Sequence, residues 1–115
     1  MDLGLGLWTD TDARYYPLDV VRENGRALVD TFDDEKVLVY IDPQNFVLAA
    51  IRVEGENPQW EDDVLRLSDG TRIEEGIVYD ANGQRSEAPR PLQVFTRWYG
   101  FSLTFPHTGI YGESR

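Results

Sequence analysis

The segment RALVDTFDDEKVLVYI, residues 26–41, decides how this chain folds. Arg26 to Phe32 and Lys36 to Ile41 read as two strands. Asp33, Asp34 and Glu35 form a polar hairpin loop between them. The second run, Val37-Leu38-Val39-Tyr40-Ile41, is apolar at every position. A strand with one wet face alternates apolar and polar residues, whereas one without alternation is buried on both faces. This run is therefore expected at the centre of a sheet, and Asp42-Pro43 ends it.

Outward from this hairpin the pattern is the same: short apolar runs broken by turn residues. On the N-terminal side, Leu3 to Trp8 alternates Gly with Leu and reads as an extended edge. Thr9 to Asp12 is a turn. Arg14 to Tyr16 is extended, because the residue before Pro17 is biased away from helix. Leu18 to Asn24 fits a short helix with Leu18, Val20 and Val21 on its apolar side, stopped by Asn24-Gly25. On the C-terminal side, Phe46 to Val53 is the next strand and Glu54 to Pro58 a loop. Val64–Leu67 and Thr71–Ile73 flank the tight turn Ser68-Asp69-Gly70. Gly76–Asp80 and Gln84-Arg85 flank Ala81-Asn82-Gly83. Ser86 to Pro91 is an irregular connection. Leu92 to Phe101 suits a helix by the spacing of Val94, Phe95, Trp98 and Phe101, and a strand by its aromatic content. Phe105-Pro106 interrupts it, and Gly109 to Tyr111 pairs as a last strand. There is no internal repeat. The expected fold is mainly β, or α+β: an antiparallel sheet rolled or folded on itself from hairpins, with one or two short helices.

The chain has 115 residues, with 41% hydrophobic and 12% aromatic content. Residues 1–115 read as a single β-rich domain, whole or excised from a longer protein. A chain of this size buries roughly two-thirds of its unfolded surface, enough for a core without staples. No apolar run approaches the ~20 residues of a membrane span, so membrane insertion is not expected. Met1 to Leu7 has no basic start and no long apolar stretch, unlike a signal peptide. The absence of cysteine excludes disulfides, thiolate metal sites and cysteine nucleophiles.

Charge is the loudest compositional signal. Twenty-one acids face 11 bases, a net charge of −10. Lys36 is the single lysine. Such a surface repels nucleic acid and anionic lipid, so neither is an expected partner. The acids read as scattered: Asp10 and Asp12, Asp33 to Glu35, Glu54 and Glu56, Glu61 to Asp63, Glu74 and Glu75. This looks like solvation of a whole surface. High acid with almost no lysine suits salt adaptation, since salt screens self-repulsion. An arginine-favouring genome is the competing account.

No constellation specifies a reaction. Asp10-Thr11-Asp12 has the alternation that opens a calcium loop, but the third oxygen ligand, the glycine and the distal glutamate are missing. A polar turn is the stronger reading of Asp10 and Asp12. His107 is the lone histidine and the one side chain that titrates near neutrality unperturbed. No nucleophile elbow surrounds Ser68, Ser86, Ser102 or Ser114. Gly4-Leu5-Gly6 lacks the rest of a phosphate loop. Tyr16, Arg97, Trp98 and Tyr99 are candidate ligand contacts, a stacking surface for sugars or peptides, although aromatic clusters are more often core. The preferred function is a non-enzymatic domain binding a protein or a small molecule, with no cofactor. The alternatives are a hydrolase-like enzyme using His107 with a carboxylate, and a divalent-cation domain using the turns at Asp10-Asp12 or Asp33-Asp34.

Several segments in order carry a family likeness. They are Arg14 to Val21, Val29-Asp30-Thr31, Val37 to Pro43, Gly76 to Gly83, Leu92, Arg97 to Phe101, and Phe105 to Tyr111. Together they resemble a prokaryotic domain-of-unknown-function family, number thirty-one seventy-nine. The family's Cys-Pro-Leu-Cys motif would fall on Asp42-Pro43-Gln44-Asn45, so a redox or metal role for that pair is unavailable here. The stretch from Val53 to Gly76 is shorter than in the family. The resemblance implies a divergent member with no established activity. It implies an extracytoplasmic setting, where a salt-adapted host would equally accommodate a cytoplasmic one.

Overall fold

The computed structural model describes residues 3–112. Met1 and Ser114 therefore lie outside the described residues. The element order is β1 (Leu3–Trp8), β2 (Ala13–Pro17), α1 (Leu18–Glu23), β3 (Ala27–Phe32), β4 (Glu35–Ile41), β5 (Leu48–Arg52), β6 (Gln59–Glu61), β7 (Val64–Arg66), β8 (Arg72–Glu74), β9 (Ile77–Tyr79), β10 (Arg85–Ser86), β11 (Leu92–Arg97), α2 (Trp98–Thr104) and β12 (Gly109–Ile110). The protein is mostly β with two short helices. Its strands form three sheets, ordered β11-β1-β2-β12, β3-β4-β5 and β10-β9-β8-β7-β6. All pairings are antiparallel except β12 with β2.

The quoted hairpin is the middle of the molecule. Asp33 and Asp34 form its two-residue turn, both at positive φ (53° and 62°). That geometry matches the right-handed twist of the flanking strands. β4 lies between β3 and β5 and is buried along Val37 to Ile41. Its alternate residues serve two cores. Val37, Val39 and Ile41 join Leu5, Leu7, Tyr16 and Val21, between the middle sheet and the β1 sheet. Leu38 and Tyr40 join Ile51, Leu65, Leu67, Ile73 and Val78, between the middle sheet and the meander β6–β10. A third cluster, Ala13, Tyr15 and Phe101, lies under α2 on the far face of the β1 sheet. The layers therefore stack as α2, β1 sheet, β3 sheet and meander. Three such interfaces explain the long axis of 42 Å against 26 and 24 Å across, since packed sheets sit about 10 Å apart.

Side chains link the β1 and β3 sheets where backbone pairing stops. On one flank Arg14 Nη1 donates to Asp30 Oδ2 at 2.7 Å and to the Thr31 carbonyl at 2.8 Å, and the Tyr16 hydroxyl donates to Asp30 Oδ2 at 2.9 Å. On the other, Gln93 Oε1 accepts from the Ala50 amide and Gln93 Nε2 donates to the Ala50 carbonyl, each at 3.0 Å. The glutamine amide thus imitates one more strand residue beside β5.

Three local expectations change. Leu3–Trp8 is an interior strand, paired on both sides by β11 and β2. Its glycines are why. A Cβ on Gly4 would lie 2.7 Å from two Tyr15 ring atoms, and one on Gly6 would lie 2.5 Å from Phe101 Cζ. Bare backbone lets these rings lie flat on the strand. Leu92–Phe101 divides, strand to Arg97 and helix from Trp98. An additional hairpin joins β6 and β7 through Asp62 and Asp63.

Candidate functional site

The sequence-derived candidates fall in three places. Tyr16 is fully buried, stacked on Tyr111 with centroids 5.4 Å apart, and faces the β3 sheet. Burial, reinforced by the Asp30 carboxylate, pushes its phenol well above the ordinary tyrosine range. Burial alone would lower the Arg14 guanidinium beside it, but the bond to Asp30 and the neighbouring charges outweigh this and raise it. Trp98 lies on the opposite face of the same sheet, edge-on to Tyr15 at 5.1 Å. The β1 sheet therefore separates Tyr16 from Trp98 and Tyr99, whereas Arg97, opposite Leu3 at the end of β11, projects to the Tyr16 side.

His107 is exposed and lines a hollow of about 290 Å³ with Thr9, Asp10, Thr11, Asp12 and Phe105. The fold thus brings the histidine and the two aspartates to one place. Their carboxylates are not arranged as a cation cage. Asp12 Oδ1 accepts from the Ala13 amide at 2.9 Å, and the Asp12 and Thr11 amides both donate to Thr9 Oγ1. Among the described residues no three His, Asp or Glu side chains converge as metal ligands. A cleft of about 630 Å³ lies between β5 and the meander. Its two cations are engaged: Lys36 with Glu56 at 3.5 Å and the Glu54 carbonyl at 3.0 Å, and Arg52 in an ion pair with Glu35.

The remaining place is the outer face built by β11 and α2. In an antiparallel pair, directly opposed residues project to the same side. Leu92 opposes Trp8 and Val94 opposes Gly6, so both stand on the α2 side of the sheet. Phe101 sits over Gly6, and Phe105 stacks on Trp8 at 5.4 Å. Trp98, Phe101 and Phe105 turn inward at helical spacing, which leaves Tyr99 and Leu103, four residues apart, on the outer side. Leu92, Val94, Tyr99 and Leu103 are 57%, 40%, 73% and 65% exposed. They are four of the six large apolar side chains exposed among the described residues. A second property coincides with this face. None of the 21 acids falls between Glu87 and Glu113, while Arg90, Arg97 and His107 do. Along the sequence the acids therefore stop where these exposed apolar residues begin, and Asp10 and Asp12 approach the segment at Thr104 to His107 across the hollow. That acid-free run was the available signal for this face, and Leu92, Val94 and Leu103 were not among the sequence-derived candidates.

Comparison with known proteins adds no assignment: no family model matches the chain, and neither a curated protein nor a solved structure does.

Proposed function

We propose that this chain is a non-catalytic binding domain that docks a protein partner through the β11–α2 face. One observation carries the reading: four large apolar side chains stand exposed on a face supplied by the acid-free segment of a chain with net charge −10. Interface centres are depleted of charge relative to ordinary surface, and the four exposed side chains here are uncharged, with one aromatic ring, Tyr99, among them. Tyr99 is part of it, and Trp98 supports it from beneath. The hydrolase and cation readings draw less support, because His107, Asp10 and Asp12 share a hollow without a hydrogen bond among them. Membership of the family numbered thirty-one seventy-nine stands as part of the same proposal. It rests on the ordered motifs and contributes no activity.

The test is a photo-crosslinking residue placed at Tyr99, Leu103 or Phe46 of the whole chain in its producing cells. Phe46 is 73% exposed on the loop between β4 and β5, and serves as the control. One identified species captured from positions 99 and 103 but not 46, and bound directly when purified, supports the proposal. Equal capture at 46, or none at 99 and 103, refutes it.

A further inference from the structure

We propose that the partner on the β11–α2 face is a second copy of this chain, docked about a twofold axis. This rests on the docking reading above and names its occupant. Charge is the first argument. Two bodies of net charge −10 that meet through acid-bearing surface set carboxylate against carboxylate, and like charges across an interface exclude that pairing. Docking through residues 92–103 brings no carboxylate of that segment into the contact.

Shape is the second argument. A twofold interface uses the same patch on both copies, so the patch must be self-complementary. On α2, Gly100 adjoins Tyr99, and a Cβ built on Gly100 meets no atom within 4 Å. The outer side of the helix thus presents a ring, Tyr99, beside exposed bare backbone at Gly100. Two helices related by a twofold can each seat the other's ring at that position.

Area is the third. The exposed parts of Leu92, Val94, Tyr99 and Leu103 amount to roughly 400 Å² per copy, given the size of such side chains. Two copies supply about 800 Å² of apolar surface, which with an ordinary polar rim reaches about 1,200 Å², the lower end of stable interfaces. The dimer is accordingly a weak one that tightens as salt screens the net repulsion.

The experiment is sedimentation of the intact chain over micromolar to millimolar concentrations, at low salt and at molar salt. The expected result is a reversible equilibrium between the 13.2 kDa chain and its dimer, with affinity at least several-fold tighter in molar salt. Leu103→Asp and Tyr99→Asp should abolish it, and Phe46→Asp should leave it intact. All three side chains are largely exposed, so a melting curve confirms that each variant folds. The chain has no cysteine, so Leu103→Cys introduces a sole thiol, expected to link two copies under mild oxidation where Phe46→Cys does not. A chain that stays monomeric throughout, or a dimer that survives both aspartate variants, overturns the second-copy proposal. If a different protein is then captured at positions 99 and 103, the docking reading survives this failure. If nothing is captured, both fall.

Discussion

Replacing Gly6 tests the packing that holds α2 in place. The glycine lies in β1, opposite Val94 on one side and Tyr15 on the other. A Cβ there would stand 2.5 Å from Phe101 Cζ, and closer to two further atoms of the ring. Carbon atoms in favourable contact sit about 3.5–4.0 Å apart, so the ring must retreat by roughly an ångström. It has little room to do so. Phe101 is 2% exposed and is packed by Tyr15, Trp8 and Phe105, with centroids 5.8, 6.3 and 4.8 Å away. Against this, alanine gains roughly 0.5–1 kcal/mol over glycine inside a strand, through the lower entropy of its unfolded state. Overpacking typically costs about 1–3 kcal/mol. The Gly6→Ala variant should therefore lose about 1–2 kcal/mol net, and Gly6→Val more, with Tm falling by roughly 4 °C per kcal/mol in a chain of this size.

Urea unfolding followed by far-UV and near-UV circular dichroism measures both the loss and the disturbance of the aromatic cluster. A paired variant makes the argument specific. Phe101→Leu vacates the space a methyl group would enter, so the double variant Gly6→Ala/Phe101→Leu should be more stable than the two separate losses imply, by about 1 kcal/mol. Gly109→Ala is the control, since a Cβ there meets no atom within 4 Å. A Gly6→Ala variant as stable as the parent, or additive losses in the double variant, would refute the close-approach account of the Gly-Leu alternation.

Gln93→Ala should cost about 1–3 kcal/mol by urea unfolding, because it strips both hydrogen bonds from the fully buried Ala50; an unchanged midpoint would show that water replaces the glutamine. Burial raises the phenols of both Tyr16 and Tyr40, so above pH ~10 the unfolded chain releases protons that the folded chain retains, and stability should fall by up to about 1.4 kcal/mol per pH unit for each tyrosine. Unfolding curves across that range should show a shallower fall in Tyr16→Phe, and the same slope in that variant would remove Tyr16 from the account. Raising salt from about 0.1 M to 1 M shortens the screening length from ~10 to ~3 Å, so a chain of net charge −10 should melt higher; an unchanged Tm would sink the salt-adaptation reading.

The strands that the sequence shows most clearly are those whose signal is local. Residues 26–41 contain two strands and their turn, and the apolar run at Val37 to Ile41 is the strand with a core on each face. Asp69-Gly70 and Asn82-Gly83 mark turns for the same reason: positive φ falls on Gly70 and Gly83. What escaped reading depends on distant partners. The alternation in Leu3 to Trp8 looked like an edge because glycine has no side chain to bury. Its meaning comes from Tyr15 and Phe101, which occupy the space. β6 is Gln-Trp-Glu, with a single apolar residue, and its pairing with β7 is visible only in the register. The parallel contact of β12 with β2 joins Ile110 to Tyr15, far apart in the chain, and leaves no local trace.

The candidate face was hidden for a different reason. Apolar residues on alternate positions of a strand, such as Leu92 and Val94, normally have a layer over them. Here the layer is too small. A helix rises about 1.5 Å per residue and a strand about 3.3 Å. The 7 residues of α2 therefore span about half the length of the 6-residue strands beneath it. Its inward aromatics, Trp98 and Phe101, with Phe105 just past its end, are committed to Trp8 and Tyr15 over β1 and β2. Nothing in α2 remains to cover β11. The exposed Leu92 and Val94 thus follow from a helix too short and too far toward β2 to shield them. Only a residue-by-residue placement of α2 distinguishes an exposed strand face from one covered by its own chain.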